Sequence, residues 1–66
     1  MNESKRLSRK YIYKGIRVAV HLTDGTRIAG LVLESGSSRL TILDAEGNKI
    51  SMHPQIGVYG VYALNN

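Results

Sequence analysis

The stretch Val18-Ala19-Val20-His21-Leu22-Thr23-Asp24-Gly25-Thr26-Arg27-Ile28-Ala29-Gly30 decides the fold, because it reads as two alternating strands joined by an Asp-Gly turn. Val18, Val20 and Leu22 fall on one face of an extended chain, and Ala19, His21 and Thr23 on the other. Asp24-Gly25 supplies the positive-φ residues of a type I′ hairpin turn, and Arg27, Ile28 and Gly30 start the return strand. The spacing implies a half-buried hairpin and, taken alone, no particular function.

Upstream of the hairpin, Asn2 or Ser4 caps an expected helix that runs to about Tyr13. Leu7 and Tyr11 lie four apart on one face of it, with Lys5, Arg6, Arg9 and Lys10 around the others. Gly15 ends it. Strands are expected at residues 16–23 and 26–34, and the loop Ser35-Gly36-Ser37-Ser38 precedes a third strand at 39–44. Ala45-Glu46-Gly47-Asn48 makes the next turn, a fourth strand covers 49–53, and a fifth covers 58–64. Between the last two, Pro54 removes a backbone donor, and residues 54–57 suit a short 3₁₀ turn.

This order predicts one domain over residues 1–66. It is mostly β, a short N-terminal α-helix (1–14) followed by a five-stranded, strongly bent SH3-like small barrel (15–66), because so short a sheet must close to avoid exposed edges. Gly30 would permit the bend that closure needs. In the last strand Val58, Gly60, Tyr62 and Leu64 face one way and Tyr59, Val61 and Ala63 the other. With both faces apolar, either a neighbouring subunit covers one of them or Tyr59 and Tyr62 cover the barrel's own core.

A chain of 66 residues removes only about 60% of its unfolded surface from water on folding. It is 42% hydrophobic and has no cysteine, which excludes a disordered tail, a disulfide framework and a thiolate metal site. Oligomerisation is the remaining common stabiliser. No apolar run approaches a bilayer span, and the charged N-terminus lacks the hydrophobic stretch of a signal peptide, so a cytoplasmic location is expected. The formal charge is +4, from nine Lys and Arg against five Asp and Glu, and six of the nine cations lie in residues 5–17. Such a cluster attracts phosphates with strong salt dependence; it also reads as a solvated helix face.

His21 and His53 are the only histidines, and neither stands in a metal-ligand spacing with an acidic cluster. No nucleophile motif surrounds a serine and no phosphate loop is present. The expectation is a binding protein without catalytic residues, metal or other cofactor.

Val18, Val20, Leu22, Asp24, Gly25, Arg27, Ile28 and Gly30 together resemble the first motif of the Sm-like RNA-binding proteins, and within them the Hfq-like branch: alternating apolar residues, Leu-x-Asn/Asp-Gly, then Lys/Arg, an aliphatic residue and Gly. The second motif departs from that pattern. Ser51-Met52-His53 stands where Hfq-like proteins have Tyr-Lys-His, and Ile56-Gly57-Val58 where other Sm proteins have Ile-Arg-Gly. The resemblance implies an Sm-fold barrel that assembles into a homo-oligomeric ring of five to seven subunits, the fourth strand pairing with the fifth of a neighbour, and that binds single-stranded RNA.

The clustered cations Lys5, Arg6, Arg9, Lys10, Lys14 and Arg17 are expected to form a basic rim, and the resemblance, carried over residue by residue, implies two further contact regions. His53, with help from Arg39, stands at the pore face that grips uridine-rich ends, where an imidazole without the neighbouring lysine relies on its own protonation for charge. His21 and Arg27 stand on the opposite face, near Thr26 and Ile28, with Ala29 in place of a glutamine that reads adenine. Plain structural roles remain open for the same residues: a turn at Asp24-Gly25-Thr26, a cap on the Pro54 turn by His53, and a solvated Arg39. Two alternatives stand beside this reading. Residues 56–64 also resemble the closing strand of the type II dihydrofolate reductases, with Gly57 replacing their ligand-contacting glutamine, and a small barrel with a basic helix can be a protein-interaction module without RNA binding.

Overall fold

The computed structural model describes residues 2–65. The strands are β1 (Asn2–Arg6), β2 (Arg17–Leu22), β3 (Arg27–Ser35), β4 (Leu40–Leu43), β5 (Lys49–Met52) and β6 (Val58–Asn65), with one 3₁₀ turn, Arg9–Tyr11, between β1 and β2. They form a single antiparallel sheet in the order β1-β6-β2-β3-β4-β5.

The β2–β3 hairpin forms as the alternation predicts, with Val20 opposite Ile28 and His21 opposite Arg27. Its turn differs from the expected type I′. Among the described residues only glycines have positive φ, so Asp24 does not supply one. The Gly25 N–H donates to the Leu22 carbonyl (3.1 Å), Gly25 takes φ 92°, and the Leu22 N–H then closes the loop on the Thr26 carbonyl (2.8 Å). This is a three-residue loop ending on a left-handed glycine. The β4–β5 turn repeats it: the Gly47 N–H donates to the Asp44 carbonyl, Gly47 takes φ 85°, and the Asp44 N–H closes on Asn48.

Two sequence expectations about architecture are overturned. There is no α-helix among the described residues, and the sheet is six-stranded and open, not a closed five-stranded barrel. A helix of about a dozen residues is marginal on its own in water, whereas β6 offers an edge whose peptide groups need partners. Residues 2–6 take that edge as β1, pairing Glu3 with Leu64 and Arg6 with Tyr62, and the Leu7 N–H extends the pairing to the Val61 carbonyl (2.7 Å). The sheet therefore ends at β1 on one side and β5 on the other. β6 is paired on both edges, so the expected pairing of a neighbour's β5 with β6 meets a filled edge.

The core lies inside the curl of this sheet. Val18, Val20, Val32, Leu40, Ile42, Ile12 and Val61 are buried together, with Leu7, Leu22, Ile28, Met52 and Val58 packed against them. Val58 and Val61 reach the same core although three residues apart, because the β2–β6 register shifts between His21 and Leu22. That bulge breaks the two-residue alternation and leaves Tyr59 64% exposed. β3 pairs with β2 along residues 27–31 and with β4 along 31–35; Leu31 belongs to both pairings, and Gly30 stands immediately before it. A Cβ there would lie 2.2 Å from the Leu43 carbonyl oxygen and 2.8 Å from Ile42 Cγ2. Among the described residues no helix is long and apolar enough to cross a membrane.

Gly30→Ala should therefore destabilise the fold by about 1–3 kcal/mol, since β3 and β4 must move apart to admit the methyl group. Urea denaturation checks this, and an unchanged midpoint would show that the two strands separate freely.

Candidate nucleic-acid interface

Five of the six clustered cations line surface grooves. Ile12 is buried and pins the segment after β1 to the core, while Tyr11 and Tyr13 on either side of it are 52% and 57% exposed. The Gly15 N–H donates to the Val32 carbonyl and the Val32 N–H to the Ile16 carbonyl (both 2.9 Å), which fixes the following residues against β3.

Around this segment lie three open grooves that share lining residues. The first, about 540 Å³, is lined by Lys5, Leu7, Tyr11, Tyr13 and Arg17 among others. The second, about 240 Å³, shares Leu7 with the first and adds Arg6, Arg9 and Tyr59. The third, about 570 Å³, shares Arg9 and Ile12 with the second and adds Lys10 and the Ser35-Gly36-Ser37 loop. Among the described residues no carboxylate lines any of the three. Cations also lie against the rings: the Arg6 guanidinium is 5.8 Å from the centroid of Tyr59 and Lys10 Nζ 5.3 Å from that of Tyr11. Arg6 Nη2 further donates to the Tyr59 carbonyl (2.8 Å). Lys14 is exposed outside the grooves.

Three of the five carboxylates, Glu3, Asp24 and Asp44, are held elsewhere. Glu3 joins His21 (Oε1 to Nε2, 2.8 Å) and Arg27 (Oε2 to Nε, 2.6 Å). The Arg27 hydrogen bond, then that from His21, keeps the Glu3 carboxyl below its usual 4.5. Asp24 is lowered by its hydrogen bonds from Thr26, whose N–H donates to Oδ1 at 2.9 Å. Asp44 is lowered chiefly by the Asn48 N–H (2.8 Å), with Glu46 adding a second donor.

Of the remaining candidate residues, His21, Arg27 and His53 are engaged by the fold. His21 and Arg27, opposite each other across the hairpin, share Glu3, and the Tyr62 ring meets His21 edge-on at 5.1 Å. His53 Nδ1 accepts the N–H groups of Gln55 and Ile56 (both 3.0 Å), so it caps the turn at residues 54–57. Arg39 is exposed, and it and His53 flank the Leu40–Met52 register pair at one end of the β4–β5 hairpin. Ile56-Gly57-Val58-Tyr59 does not form one strand: Gly57 takes φ 78° in a turn, and β6 begins at Val58. Tyr11 and Tyr13 were outside the residues expected to touch a ligand; the Tyr-Ile-Tyr alternation around one buried residue is the signal that exposes both rings.

Comparison with protein-family models, curated proteins and solved structures finds no match for this chain.

The Glu3 contacts give a signed pH dependence. A carboxyl depressed on folding adds stability that is present above its unfolded pKa and is lost as pH falls through the lower, folded value. Glu3→Gln should lower the melting temperature at neutral pH, and the gap between variant and parent should narrow as pH drops below 4.5. A gap that stays constant through that range would mean that Glu3 contributes by packing and not by charge.

Proposed function

We propose that this chain is a cytoplasmic, Sm-like binding protein that holds single-stranded RNA along its N-terminal segment. The observation that carries the reading is the segregation of charge: three neighbouring grooves hold Lys5, Arg6, Arg9, Lys10 and Arg17 with no carboxylate among the described lining residues. A polyanion threaded there gains from each cation and meets no fixed negative charge, and release of its counterions makes binding weaken as salt rises. The hairpin residues that resemble the Sm first motif support the family assignment.

Affinity for an oligouridylate and for an oligoadenylate should fall alike on a logarithmic salt scale. Replacing Arg9 and Lys10 together by Ala removes two phosphate contacts and should make the salt slope shallower by about 1.4 for a single strand. An unchanged slope in the double variant would show that the cluster only keeps the surface solvated.

Self-association forms the second part of the proposal, and the two free strand edges favour it. β1 and β5 each end the sheet with one unpaired side. Pairing β5 of one copy with β1 of the next is head to tail, the arrangement that closes into rings when the rotation per subunit allows it. Native mass measurement should return a multiple of the 7.3 kDa chain. A monomer at the concentration used for RNA titration would refute the assembly and leave the RNA reading standing.

A further inference from the structure

We infer that the groove between β1 and the start of β2 is a stacking site for unpaired nucleobases, with Tyr11 and Tyr13 as its platforms and Lys5, Lys10 and Arg17 as its phosphate contacts. The inference rests on the RNA-binding reading and goes further, because charge alone would accept any polyanion.

Both rings stand more than half exposed on a backbone that is held in place. Ile12 between them is buried, its N–H donates to the Arg9 carbonyl (3.1 Å), and the Gly15 and Ile16 backbone is hydrogen-bonded to Val32. Tyrosines fixed in this way present a flat π surface at little further cost in order. Each base of a single strand offers a face to such a ring, whereas a duplex keeps its base faces stacked inside. Lys5 and Arg17 line the same groove, and Lys10 Nζ already lies against the Tyr11 ring, so a strand with a base on a ring brings its phosphates to cations. Polyglutamate has the charge for this groove and nothing to lay on the rings. The groove thus selects for single-stranded nucleic acid.

The test titrates the intact chain with an oligouridylate, a duplex RNA and polyglutamate. It reads anisotropy together with intrinsic tyrosine fluorescence, which no tryptophan obscures in a chain with four tyrosines. The oligouridylate should quench tyrosine, and Tyr11→Ala or Tyr13→Ala should each weaken its binding about tenfold while leaving the salt slope in place. The double variant Y11F/Y13F should keep the affinity and lose most of the quenching, because the rings remain and their fluorophores do not. Quenching in the unaltered chain reads the contact without any substitution, should an alanine variant melt early. Alanine variants that bind like the parent, or equal binding of duplex and polyglutamate, would overturn the stacking site while salt-dependent RNA binding stood. No binding of any RNA by the parent would overturn the RNA reading itself.

Discussion

The pairing of β1 with β6 is the constraint on which the rest of the molecule depends. It fills the edge of β6 from Asn65 to Tyr62 and, through Leu7, reaches Val61, a core residue. Side chains fasten the strand at both ends: Glu3 crosses to His21 and Arg27 on the hairpin, and Arg6 binds the carbonyl and ring of the bulged Tyr59. Backbone pairing alone would fix the register of only five residues. The side-chain anchors also fix where Lys5 and Arg6 sit relative to the core. The grooves depend on that placement, because their walls are β1, the segment after it and the elements on which it lies.

A net charge of +4 does not by itself make an anion site; its distribution does. Were the five carboxylates spread among the cations, short-range pairing would cancel the field within the screening length of physiological salt. Instead Glu3, Asp24 and Asp44 accept hydrogen bonds that keep them ionised and local, two of them inside hairpin turns, and the N-terminal grooves are left with cations alone. The acids that order the turns and the bases that line the grooves thereby occupy separate parts of a very small surface.

Much of the sheet was legible because its strands are local hairpins. Alternation over Val18, Val20 and Leu22, and glycines at 25 and 47, specify contacts between residues close in sequence, where pattern and turn chemistry agree. The N-terminus was misread for the opposite reason. Leu7 and Tyr11 are four apart, a helical spacing, yet the deciding interaction joins residues 2–7 to residues 61–65, and no local pattern reports a partner that distant. The parity break at Tyr59 is likewise invisible until the β2–β6 register shift is seen. At the candidate site the basic cluster was legible as composition, its division among three grooves was not, and the tyrosines were hidden by the helix that the spacing implied.

The resemblance to Sm-like proteins takes a particular form once the contacts are known. At the hairpin, and at the position where the resemblance would put a pore contact, this chain uses its polar side chains to hold itself together: Asp24 orders its turn, His21 and Arg27 are bound by Glu3, and His53 caps the 54–57 turn with two accepted hydrogen bonds. A ligand that recruited His53 Nδ1 would first displace two bonds, each worth about 1 kcal/mol net. Lys5, Lys10, Tyr11, Tyr13 and Arg17 carry no comparable obligation to the fold, and they are the residues gathered in the grooves around the N-terminal segment. Binding energy is gained most readily where donors and rings are positioned but uncommitted, and in this chain the backbone that follows β1 positions them while the core, through Ile12, bears the cost of holding it still.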